Sequence, residues 1–116
     1  VEPFPRICRV LDGEMVTGTY GGSTALSSIG GSTVTYQAVE AICATGGKAI
    51  VADDETTTRD QGRLSLHGCY AELSSAATLT GLERLRKQNA IREEEAVVLV
   101  ATSNGYKDVP DLTSVA

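Results

Sequence analysis

Two stretches of this chain put reactive side chains directly behind apolar runs. In one, Cys69-Tyr70-Ala71 leads into Glu72, Leu73, Ser74 and Ser75. In the other, Val97-Val98-Leu99-Val100-Ala101 leads into Thr102, a Ser103-Asn104-Gly105 turn, Lys107 and Asp108. A polar residue behind a β-branched run belongs at the carboxyl end of a strand, which is where open parallel α/β sheets bind ligands. Thr102 is the foremost candidate, because a hydroxyl can both donate and accept a hydrogen bond. Glu72 offers a carboxylate at the start of a helix, where the helix dipole stabilises negative charge. Ser74 or Ser75 suits the N-cap of that helix. His67, the one histidine, has no Cys or Asp at catalytic spacing and falls at a helix C-terminus.

These motifs resemble the C-terminal part of the pyridoxal-phosphate enzymes of the tryptophan-synthase-β type, most closely threonine synthase. In that family a Glu-Pro-Ser-Ser-Ala-Ala segment opens a long helix, and an apolar strand runs into Thr-Gly-x-Gly-x-Lys-Asp. Glu72, Ser74, Ser75, Ala76, Ala77, Thr102, Gly105, Lys107 and Asp108 match these patterns. Leu73 replaces the usual proline, and Ser103-Asn104 stands where Gly-His is frequent. Val1-Glu2-Pro3 and Thr24-Ala25-Leu26-Ser27-Ser28-Ile29 are similar to two further family segments.

The resemblance implies a cofactor site for pyridoxal phosphate, with Thr102 hydrogen-bonded to the pyridine nitrogen and Glu72 near the cofactor rim. It places Thr24, Ser27 and Ser28 on the side of an amino-acid substrate. Lys107 is not the family's Schiff-base lysine, which lies far upstream together with a Gly-rich phosphate loop. The implied parent reaction is elimination of phosphate from O-phosphohomoserine followed by water addition, a lyase activity of threonine biosynthesis. Residues 1–116 would then be a fragment of the catalytic domain, inactive alone and without stable cofactor binding. A threonine dehydratase, another enzyme of the same fold type, or a non-catalytic α/β interaction module are the alternatives.

The elements that must position these groups follow a βαβ pattern. Ile7, Val10 and Leu11 share a face of a short helix after Pro5. Residues 14–33 form a Gly-, Ser- and Thr-rich stretch, read as a ligand-facing loop or a flexible linker. Thr33 or Thr35 caps a helix from about Val34 to Ala44, which Gly46-Gly47 stops. Lys48 to Ala52 is a short strand, and Asp53 or Asp54 caps a helix from about Glu55 to Leu66, closed by His67-Gly68. Cys69 to Ala71 is the third strand. The next helix runs from Ala76 to Gln88 with Leu79, Leu82 and Leu85 on its core face, and Ala96 to Ala101 is the fourth strand. Alternating strands and helices predict an α/β fold: a three-layer αβα, Rossmann-like partial domain with a mainly parallel sheet of about four strands.

The net charge of -5 leaves no basic surface for nucleic acid or anionic membrane. Arg84, Arg86 and Lys87 complement the dipole at the end of their helix. Cys8, Cys43 and Cys69 are an odd number at wide spacing, without metal-binding intervals. They read as small core hydrophobes in a reduced, cytoplasmic protein. No apolar run approaches the ~20 residues of a membrane span. An open sheet edge predicts a homo-oligomer.

Overall fold

A computed structural model describes residues 22–31 and 34–108. The expected helix after Pro5, the Val1-Glu2-Pro3 segment, Cys8 and residues 14–21 and 32–33 of the Gly-rich stretch lie outside the described residues. Among the described residues are three α-helices: α1 (Tyr36–Thr45), α2 (Asp54–Leu66) and α3 (Leu73–Lys87). Two single 3-10 turns, Ser27–Ile29 and Gly105–Lys107, accompany them. No helix among these residues is long and apolar enough to cross a membrane.

The expected caps explain where α1 and α2 begin. Thr35 Oγ1 accepts from the Ala38 N–H at 3.3 Å. Gly46 ends α1 in the left-handed conformation at φ 63°, which a residue without Cβ adopts freely. Gly47 then donates to the Ile42 carbonyl at 2.9 Å, tying off the last turn. Asp53 opens α2 by accepting from the Thr56 N–H at 2.8 Å. The same carboxylate is paired with Arg84 of α3, whose guanidinium also donates to the Val51 carbonyl. Arg84 therefore does more than oppose a helix dipole: it ties the entry of α2 to the last turns of α3. Replacing Asp53 by alanine should cost about 1 kcal/mol through the lost cap. A urea midpoint unchanged from the parent would remove Asp53 from that role.

α2 packs against α3, and the Ser27–Ile29 turn packs on α3 as well. The buried face of α3 comprises Ser74, Ser75, Ala76, Thr80 and Gly81, while Leu79, Leu82 and Leu85 are only half-buried. This corrects the leucine core face expected from the sequence. The buried residues of α2 are also polar, Thr57 and Asp60. The two helices thus meet through small and hydrogen-bonding side chains. Among the described residues the fully packed apolar ones are Leu26, Ala71 and Ala76.

Among the described residues there is no parallel sheet, which overturns the three-layer αβα reading. Among the described residues there is no strand, only one isolated antiparallel bridge between Ala71 and Asn104. Residues 48–52 and 96–101 have no helical or ladder structure, and both contribute to the lining of one apolar cleft of about 520 Å³ without pairing. A β-branched run becomes a strand only when a neighbouring chain lies about 4.8 Å away to accept and donate its backbone hydrogen bonds. Neither run makes such backbone hydrogen bonds among the described residues. Cys43 and Cys69 are exposed free thiols, so the expectation that they serve as core hydrophobes fails too.

Candidate functional site

The first turn of α3 gathers most of the candidate residues. Glu72 precedes the helix and is 3 % exposed. Its side chain makes no capping hydrogen bond. Instead its carboxylate is ion-paired with Lys107. The hydrogen bond from Lys107 holds the Glu72 carboxyl below the usual carboxylate range, against burial, and hydrogen bonds from Ser28 and Ser103 add to the lowering. A lowered folded-state pKa stabilises the fold above the unfolded value near 4.5 and loses that contribution as pH falls through the folded value. Asp53 is shifted the same way, chiefly by the Thr56 N–H. Stability should therefore fall below about pH 4.5, and Glu72→Gln should flatten part of that slope. An identical acid limb in the variant would remove Glu72 as a contributor.

Ser74 and Ser75 do not cap the helix, contrary to expectation. Ser74 Oγ accepts from the Ser28 N–H at 3.2 Å, holding the Ser27–Ile29 turn against α3. Ser75 Oγ accepts from the Thr102 N–H at 3.2 Å and shares a hydrogen with Thr102 Oγ1 at 2.9 Å. Ser75 is buried, whereas Thr102 is exposed. The buried serine thus fixes the Thr102 hydroxyl, while Thr102 as a whole stays exposed to solvent.

The cap for α3 comes from 35 residues away: Asp108 Oδ2 accepts from the Leu73 N–H at 2.8 Å. The same oxygen accepts from Gln61 Nε2 at 2.8 Å, and Gln61 also donates to the Ala71 carbonyl at 2.9 Å. Between Thr102 and Asp108 the chain is closely tied. Glu72 N–H donates to the Ser103 carbonyl at 3.0 Å and Gly105 N–H to the Tyr70 carbonyl at 2.8 Å. Asn104 Oδ1 accepts from the Tyr106 N–H at 3.2 Å. Gly105 is required by the ring above it, since a Cβ there would lie 2.7 Å from the Tyr70 ring. Tyr106 meets that ring edge-on at 5.4 Å.

The remaining candidates separate. Ser28 reaches α3 and Glu72, as described. Thr24 is drawn to α2, where its hydroxyl donates to Asp54 while the Ala25 N–H donates to the other Asp54 oxygen at 2.7 Å. Ser27 is exposed. Asp54, an alternative cap for α2 in the sequence, holds Thr24 and Ala25 while Asp53 makes the cap; the contacts of Gln61 and Asp108 follow from no sequence spacing. For Asp108 a signal existed, its place in the Lys-Asp motif, but only the fold shows which N–H it reaches. Among the described residues no group of three His, Cys, Asp or Glu could hold a metal ion.

Over 76 residues, 65 % of this chain, the sequence is 34 % identical to a threonine synthase of Methanocaldococcus jannaschii. The matched segment covers 18 % of that protein. No family model matches the chain, and no solved structure does. Part of the chain is therefore similar to part of a threonine synthase.

Proposed function

We propose that the chain forms part of a threonine synthase-like, pyridoxal-phosphate-dependent lyase acting on O-phosphohomoserine, with activity residing in a larger protein. The observation that supports this reading most is Thr102: an exposed threonine behind an apolar run, braced by buried Ser75, inside a chain partly similar to a threonine synthase. The residues around it fit the cofactor in one respect and not in another. Thr102 suits a neutral hydrogen-bond partner for the pyridine nitrogen. Glu72 is committed to Lys107 and does not suit a direct contact; its part is to brace the Thr102 turn.

Pyridoxal phosphate, when bound, supplies the electron sink for elimination. The chain's own contribution is positioning. A neutral hydroxyl lacks the negative charge with which a carboxylate would stabilise a protonated ring nitrogen, so it would leave that nitrogen unprotonated and the sink weaker. Ser75 holds that hydroxyl in place, and the Ser28 turn presses on the same helix end.

The test uses the full-length protein that contains this segment. It should convert O-phosphohomoserine to threonine when loaded with pyridoxal phosphate, whereas residues 1–116 alone should not. Thr102→Val should lower turnover by roughly 10- to 100-fold, the equivalent of about 1–3 kcal/mol for a lost hydrogen bond to the cofactor. It should also shift the cofactor's absorbance, with little change in unfolding temperature. Unchanged turnover and spectrum would take Thr102 out of the site. Failure of the full-length protein to use O-phosphohomoserine would overturn the substrate assignment.

A further inference from the structure

We propose that Asp108 is a positioning residue for Thr102, joining the N-terminus of α3 and the 102–108 segment into one mechanical unit. The role toward a cofactor rests on the reading above; the latch itself rests on geometry alone.

A helix start leaves N–H groups without intrahelical acceptors, and α3 begins with three residues able to cap it. None does so: Glu72 is turned to Lys107, Ser74 to Ser28 and Ser75 to Thr102. The Leu73 N–H is met by the Asp108 carboxylate instead. Asp108 is itself placed by its N–H, which donates to the Gly105 carbonyl at 3.0 Å and closes the 3-10 turn. Gly105 is held in turn by the Tyr70 carbonyl, and Ser103 by the Glu72 N–H. Every residue from Thr102 to Asp108 therefore has a tie to α3, to the residues just before it, or to a neighbour within the turn, Tyr106 through Asn104 and the Tyr70 ring. Lys107 adds the ion pair with Glu72.

The arrangement has a functional consequence. The local cap has been given up so that Ser75 can hold Thr102, and Asp108 supplies the missing acceptor from the far end of the same turn. Breaking the Asp108 contact frees the end of the segment that carries Thr102, while α2 and α3 remain joined through Asp60 and Thr80. A cap within Glu72–Ser75 would not couple these two events.

The experiment compares Asp108→Ala and Asp108→Asn in the full-length protein loaded with pyridoxal phosphate. Amide exchange is read by mass spectrometry over peptides spanning 100–106 and 76–82. Asp108→Ala should speed exchange of the 100–106 peptide by about tenfold and leave 76–82 within about twofold. Asn can still offer an oxygen to Leu73 N–H, so Asp108→Asn should restore most of the protection. The cofactor's absorbance maximum should shift in Asp108→Ala, and the shift should vanish when Thr102→Val is already present, because both changes act on one contact. If Asp108→Ala does not fold, Gln61→Ala removes the other donor to the same oxygen and should loosen the same peptide more mildly. Unchanged exchange over 100–106, or a spectral effect that adds fully to that of Thr102→Val, would overturn the proposal. A wild-type protein that takes up no cofactor would strike the enzyme reading, and the exchange data would still decide the latch.

Discussion

Asp60→Ala should destabilise the chain by about 3 kcal/mol, the penalty expected when one member of a buried charged network is removed. Asp60 is fully buried between α2 and α3. One oxygen accepts from Thr80 Oγ1 at 2.8 Å, and the other from Arg63 Nη1 at 2.9 Å. Thr80 lies a further 3.3 Å from Thr57 Oγ1, itself fully buried. Without the carboxylate, the Thr80 hydroxyl loses its short acceptor in a dry interface and keeps only the longer contact to Thr57, at a cost of about 1–3 kcal/mol. Arg63 suffers less, since it is half-exposed and keeps Glu83. Asp60→Asn retains an acceptor for Thr80 and should cost about 1 kcal/mol. Urea unfolding of the 116-residue chain decides it: the midpoint should fall in Asp60→Ala without a change in slope. A loss under about 0.5 kcal/mol, the level of an ordinary surface substitution, would mean that water replaces the carboxylate.

This polar interface shows why part of the fold escaped the sequence. Helical spacing predicts a core at Leu79, Leu82 and Leu85, which instead lie half-buried, Leu82 and Leu85 beside the cleft. The residues that do meet across the helices, Thr57, Asp60 and Thr80, carry no hydrophobic signature. Local chemistry was more readable. Thr35, Asp53 and Gly46 act within a few residues of themselves, and so α1 and α2 begin and end close to where their caps stand in the sequence. α3 begins three residues before its expected start, because its cap is remote: Asp108 lies 35 residues beyond the N–H it satisfies.

The grouping of the candidate residues was legible to the same degree. Glu72 and Thr102 could be placed together as two polar residues behind two apolar runs, and both lie at the start of α3. Their partners could not, because Lys107, Ser75 and Asp108 owe their contacts to three-dimensional folding rather than spacing. The strands failed for a related reason. Apolar alternation states which face of an extended segment prefers contact, and it does not supply the second segment that would make a ladder.

That unmatched segment leads to the other large effect: the 116-residue chain should self-associate at micromolar concentration. Val98 is 86 % exposed and Val100 62 %, while Val97 and Leu99 line the cleft. Alternate residues thus turn apolar side chains to solvent in an extended run. Among the described residues, no backbone hydrogen bond engages 96–101. An exposed β-branched run whose backbone makes no hydrogen bonds among the described residues offers a template for pairing with another chain, and a second copy presents the same run. The net charge of -5 opposes contact weakly at physiological salt, where screening acts within about 8 Å. Val98→Lys with Val100→Lys places two cations on that edge, which natural edge strands use against pairing, and leaves the residues facing the cleft intact. Sedimentation equilibrium should show a dimer or larger species for the parent chain and a monomer for the double variant. A parent that sediments as a monomer across the concentration range would show that 96–101 is not an association edge. A double variant that associates as strongly as the parent would move the contact to another surface.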